Sequence, residues 1–255
     1  MSLNNQTVEM DKKVLLSARK IALTAGLLYL LTFVSIPTLT LYSEVKSANY
    51  ILGAGPDTAA IIGGILEIIV ALAGIGTAVV LFPILKKQSE GAALGLVASR
   101  TLEASTIFVG VAFILAIVTL RQIGAGADAS IASHTLAALY DRIFLLGQSF
   151  LPAVNDLLLG FLLYQSRLVP RVLSSIGIVG GVTLLAGYLA VMFGLVGQRD
   201  TLAALSALLV ARFEFSLGVW LVVRGFNPSA VIALESKIEV APNSPSALRR
   251  SPSAS

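Results

Sequence analysis

The sequence predicts an all-α protein, an integral membrane bundle of six transmembrane helices, and three observations carry that expectation. Only 13% of its 255 residues are charged, about half the roughly 25% of an ordinary soluble domain. The mean hydropathy is +0.88. Six apolar stretches reach or exceed the roughly 20 residues that a helix rising about 1.5 Å per residue needs to cross a hydrocarbon core of about 30 Å. Runs such as Leu157-Leu158-Leu159-Gly160-Phe161-Leu162-Leu163 lack the alternation of barrel strands, so the spans read as helices. This composition excludes a disordered chain, a coiled coil, a soluble enzyme and a nucleic-acid binder.

Residues 1–20 read as a cytoplasmic N-terminal segment, with Lys12, Lys13, Arg19 and Lys20 leading into the first span. The spans are placed at 21–41, 59–84, 93–119, 141–164, 172–196 and 201–223, within a transmembrane domain of 21–225. The first is read as an uncleaved anchor, because it exceeds the roughly 7–15 residues of a signal h-region and no Ala-x-Ala site follows. In the loop 42–58, Gly53-Ala54-Gly55-Pro56-Asp57 predicts a turn in which Asp57 caps the second span. The stretch 121–140 reads as a second loop holding a short interfacial helix from Asp128 to Leu139. Basic turns close the other end at Lys86-Lys87 and at Arg167 to Arg171, and residues 226–255 read as a disordered, Ser- and Pro-rich cytoplasmic tail.

Twelve basic residues fall on the side of the termini and four on the other, with Arg100 and Arg212 inside spans. That bias predicts a plasma-membrane protein with both termini cytoplasmic. Trp220 and Tyr164 near the inner ends, and Tyr42 and Tyr140 near the outer ends, read as interfacial anchors.

Charges inside the spans carry the functional reading, because each costs at least about 2.5–3.5 kcal/mol near the bilayer centre. They are Glu67, Arg100, Glu103, Asp156, Arg212 and Glu214, with Asn155 beside Asp156. Around Glu67 the stripe Ala60, Gly63, Ala71, Gly74 and Ala78 is uniformly small, the pattern of a helix face that packs on protein. Similar stripes join Gly91, Gly95, Ser99, Glu103 and Gly110, then Ser149, Pro152, Asp156 and Gly160, and finally Ala203, Ala207, Ala211, Glu214 and Gly218. Arg100 stands three residues before Glu103, in reach of an intrahelical ion pair. Arg212, two residues from Glu214, falls on the other side of its helix with Leu208, Phe215 and Val219.

Four acids against two arginines leave two negative charges to be protonated, solvated or matched. Two readings stay open: a shared midplane site that binds or moves a proton or small cation, and an interhelical clamp that fixes packing. Without cysteine and with His134 as the single histidine, no thiolate, two-histidine zinc or bis-histidine haem site can form. No cofactor or metal is expected, the lipid bilayer is the expected partner, and oligomeric state is not readable. An intramembrane hydrolase using Glu103 and Asp156 is a minor third reading.

Several strings, taken in order, resemble the DUF4386 family of bacterial multi-pass membrane proteins. They are Ala18-Arg19-Lys20, Ile51-Leu52-Gly53-Ala54-Gly55, Leu81-Phe82-Pro83-Ile84-Leu85-Lys86, Arg100-Thr101-Leu102-Glu103, Ser166-Arg167-Leu168-Val169-Pro170-Arg171, Phe213-Glu214 and Arg224-Gly225-Phe226-Asn227. The resemblance covers roughly residues 18–228. It implies a six-helix membrane protein and brings no assigned activity or catalytic residue.

Overall fold

Helices form where apolar residues run without interruption, and they stop where glycine, proline or a left-handed residue intervenes. The computed structural model describes residues 2–47, 49–53, 55–198 and 200–240, and among these no strand occurs. The first helix, α1, spans Ser2–Leu31 and tightens into a 3-10 turn at Thr32–Ser35 before Pro37 and the short α2, Thr38–Leu41. Pro37 offers no amide to the preceding turn. The Thr32, Ser35 and Thr38 hydroxyls bond back to the carbonyls of Tyr29, Thr32 and Ser35 at 2.7, 3.3 and 2.6 Å. They satisfy backbone acceptors that lipid could not.

Helix α3, Thr58–Leu85, and helix α4, Glu90–Gln122, form a hairpin. Ser89 caps α4, its hydroxyl accepting from the Ala92 amide at 3.4 Å. Asp57, in contrast, makes no side-chain cap on α3. Its carboxylate accepts from Gln122 at 3.0 Å and pairs with Arg121 at 3.3 Å. Two donors from the end of α4 outcompete the local amides. The helix expected within 121–140 is present but shifted and longer: after a turn at Gly124 and a 3-10 turn at Gly126–Ala129, α5 runs over Ser130–Leu145, where Asp128 to Leu139 was expected. A π turn at Leu146–Phe150 joins α5 to α6, Leu151–Ser166. Pro152 explains the widening, since its ring would collide with the carbonyl four residues back, that of Gln148.

Arg167 ends α6 in the left-handed region, φ 55°, and Pro170 precedes α7, Arg171–Met192. The fifth span therefore ends four residues earlier than expected, at a turn through Gly194 with φ 70°. Helix α8, Thr201–Val223, closes at Gly225, φ 74°. The expected disordered tail is in part a helix: α9 covers Pro228–Val240. Its Ala230, Val231 and Leu234 bury against the α1 side of the core, and Glu235 pairs with Lys87. Residues 241–255 of the expected tail lie outside the described residues.

Among the described residues, six helical stretches are long and apolar enough to cross a membrane. They form a closed ring in the order α1, α3, α4, α6, α7, α8 and back to α1. The turns 86–89, 167–170 and 225–227 lie at one end, here the hairpin end, and the turn 123–126 and the described parts of 42–57 and 193–200 at the other, the loop end. The α1–α8 crossing is close because a Cβ on Gly26 would lie 2.7 Å from the Gly218 carbonyl oxygen. An apolar cluster with Leu85, Leu96, Leu163 and Phe213 fills the hairpin half, and another with Ile114, Ile117 and Tyr140 fills the loop half. The buried charges lie between them.

Candidate functional site

Arg100 occupies the inward face of α4 and reaches across the ring. Its Nη1 donates to Glu103 one turn on, at 3.0 Å, and its Nη2 donates to Glu214 on α8. Asn155 on α6 donates to the same Glu103 oxygen at 2.7 Å. The Arg100 side chain is 4% exposed, those of Glu103 and Glu214 11% and 14%. The Tyr29 ring of α1 lies 5.7 Å from the guanidinium carbon, so four helices supply one centre. Four of the expected site residues, Arg100, Glu103, Asn155 and Glu214, meet directly.

Asp156 completes the group differently. It is fully buried, and neither carboxyl oxygen has a hydrogen-bond partner among the described residues. It lies in electrostatic range of Arg100, Glu103 and Glu214. Arg100 Nε and Asn155 Oδ1 are likewise buried and without partners among the described residues. In front of the centre lies a cleft of about 210 Å³ lined by Gly74, Arg100, Glu103, Gln148, Pro152 and Glu214, among others. Gly74, Ala207 and Ala211 line the same cleft, and their small size leaves it open.

Glu67 does not join this centre. It is 1% exposed and sits toward the loop end, accepting from Tyr140 at 2.6 Å, Tyr42 at 3.3 Å and Gln148 Nε2 at 3.4 Å. The two tyrosine rings meet edge to face, 5.3 Å apart, and Gly63 admits the Tyr42 ring where a Cβ would collide with it. Lys46 stacks 3.9 Å over the Tyr140 ring and pairs with Asp141 at 2.6 Å. The single shared pocket expected from the sequence is therefore two centres. The stripe behind that expectation is sound: Ala60, Gly63, Glu67, Ala71, Gly74 and Ala78 are all buried.

Arg212 lies outside both. It is exposed on the same outer face as Leu208, Phe215 and Val219, and it has no hydrogen bond or ion pair among the described residues. Odd placement relative to Glu214 was visible in the spacing; the ring now shows why, because that side of α8 is the bundle's perimeter. The anchoring role expected of Tyr42 and Tyr140 is also overturned. Both are 3% exposed, turned inward because a buried carboxylate needs donors. Sequence reasoning missed Tyr29 and Gln148 as well. Gln148, a polar amide inside a predicted span, was the available signal: it touches Glu67 and also lines the Arg100 cleft.

Among the described residues, no group of three or more Asp, Glu, His or Cys side chains is arranged to hold a metal ion. The two centres, from Tyr29 to Glu214, fall inside the stretch 24–225 that matches the DUF4386 family, described as a domain of unknown function. The chain belongs to the DUF4386 family. It is a multi-pass membrane protein, and its DUF4386 region runs from the last part of α1 through α8. No curated protein matches the chain, and no solved structure matches it.

Proposed function

We propose that this DUF4386 protein takes up and releases a proton at the centre formed by Arg100, Glu103, Asp156 and Glu214, with Glu67 as a second station reached through Gln148. The observation that carries the reading is Asp156. A wholly buried carboxylate with no donor costs several kcal/mol, of order 2–7 even for a neutral polar group, so it must be neutralised. Three carboxyl groups there face one guanidinium, and the surplus of two negative charges is met by two protons, or by one proton and one monovalent cation. The cleft at Arg100 supplies access, and Gln148 borders both that cleft and Glu67. The clamp reading has its own support, since Arg100 bonded to Glu214 ties α4 to α8 across the ring.

The test is proton flux into vesicles holding a pH-sensitive dye, driven by a potassium diffusion potential. Flux that depends on the protein and disappears in Asp156→Asn and Glu103→Gln, while both variants keep their melting temperature, is the expected result. A flux no greater than that of empty vesicles, with both variants melting lower, leaves the clamp. Repeating the assay with a sodium gradient and a sodium-sensitive dye in place of the pH-sensitive one separates the proton from a small metal cation.

The same proposal places both termini on the cytoplasmic side of the plasma membrane, supported by the twelve-to-four bias of basic residues. Because the chain has no cysteine, single variants label uniquely. Gly91→Cys at the hairpin end, where a Cβ meets nothing within 4 Å, will be protected from an impermeant maleimide in intact cells, and exposed Ser47→Cys will react.

A further inference from the structure

We infer that the hairpin end of α6, α7 and α8 is a binding site for an anionic phospholipid, its phosphate held by Arg167, Arg171 and Arg224 and one acyl chain laid along α7. The three arginines border one cavity of about 510 Å³, together with Trp220, Phe226 and Asn227. Among the described residues no carboxylate lines it. Among the described residues none of the three guanidinium groups has a hydrogen bond or ion pair; Arg171 stacks on Tyr164, 4.9 Å from the ring centroid.

Arg224 is not engaged as the cap of its own helix. That work falls to Arg19, whose Nη1 and Nη2 donate to the Leu221 and Val222 carbonyls at 3.0 and 2.6 Å. Arg167 is held at φ 55°, a left-handed helix end where glycine is the ordinary residue. A charged side chain on an unfavourable backbone, with no hydrogen bond or ion pair among the described residues, points to a ligand.

The second observation is continuity. Arg171 and Tyr164 also border an apolar trough of about 420 Å³ lined by Val172, Ile176, Val179 and Leu209. Starting at Arg171, it follows α7 away from the hairpin end toward the membrane interior. A positive pocket at the depth of an interfacial tryptophan, opening into an apolar groove along a helix, has the two halves of an anionic lipid. A free anion would use the pocket and leave the trough unexplained.

Trp220 is the only tryptophan and lines the pocket, so the intact protein reports on itself. The experiment titrates purified, delipidated protein in neutral detergent with phosphatidylglycerol brominated in the upper part of its acyl chains, and with the matching phosphatidylcholine, reading quenching of Trp220. Quenching by phosphatidylglycerol is expected to saturate, and at a concentration at least about tenfold below that for phosphatidylcholine. Arg171→Gln and Arg224→Gln will each raise the half-saturation point about fivefold. Arg167→Gly will do the same without lowering the melting temperature in detergent, since glycine suits that backbone, so a binding loss there does not come from misfolding.

Equal quenching by the two lipids, or half-saturation unchanged in the Arg171→Gln, Arg224→Gln double variant, would overturn the inference and leave ordinary annular lipid. Inorganic phosphate that displaces the lipid far better than chloride of equal ionic strength would also overturn it, by assigning the pocket to a free anion.

Discussion

Asp156 and Arg100 lie within electrostatic range of each other yet answer to opposite rules. Arg100 is a buried charge whose removal strands Glu103 and Glu214, so Arg100→Gln will destabilise the protein by about 3–5 kcal/mol, read as a fall in detergent melting temperature. Asp156, buried without a donor, gains nothing from ionisation, and the isosteric Asp156→Asn will leave that temperature unchanged or raise it. The outcomes are informative together: a large loss in Asp156→Asn would mean that its carboxylate is ionised and held by Arg100. At the second centre, Tyr140→Phe removes the 2.6 Å bond to Glu67 and will cost about 1.5–3 kcal/mol, the range for hydrogen bonds to charged groups. A single polar residue in a predicted span, Gln148 or Tyr29, was readable as a sign of interior polarity. Which acid it would meet was not, because helical spacing gives a face and never the neighbour across the interface.

Elements carry a second kind of information. Small residues repeating every three or four positions on α3 foretold its buried face correctly, since only small faces let helix backbones approach. On α4 the same reasoning was less successful: Gly91 is exposed, and the buried face instead runs through Ala93, Leu96, Arg100, Glu103 and Ile107. There Leu and Ile fill the wider interior of the ring, so size alone does not mark the face. The tight α1–α8 crossing rests on Gly26 and Gly218, and Gly26→Leu will cost about 1–3 kcal/mol by overpacking, measurable as a lower melting temperature with the helical content kept. The helix in the stretch 121–140 was read too short for a related reason. Its alanines, serines and charges dilute the apolar signal, but α5 is stabilised from outside its own sequence, by burial of Tyr140 against α4 and by the Lys46 to Asp141 pair.

At the scale of the whole molecule, two polar clips close the ring beyond the membrane-spanning segments. At the hairpin end Lys87 pairs with Glu235, and the Asn227 amide donates to the Leu168 carbonyl at 2.9 Å. At the loop end Asp57 joins the start of α3 to Tyr50, Gln122 and Arg121. Hydrogen bonds from Tyr50 and Gln122, helped by Arg121 and opposed by burial, hold the Asp57 carboxyl below its ordinary range. A depressed folded value gives stability that is complete above the unfolded value and lost as pH falls through the folded one. The melting-temperature difference between the native chain and Asp57→Asn will therefore stay constant from neutral pH to about pH 5 and shrink as the pH drops below about 4. A difference that instead grows on acidification would reverse the sign of this assignment.

Sequence alone determined the class, the six spans and the inward face of α3, because those follow from local composition and from a periodicity each helix carries by itself. Only the tertiary structure decided that the buried acids divide into two centres, that Arg100 pairs with a residue 114 positions away, and that Arg212 faces outward. The order of helices around a ring is a property of packing between segments distant in the chain. Partners for a buried charge are chosen by that order, so no window of sequence contains them.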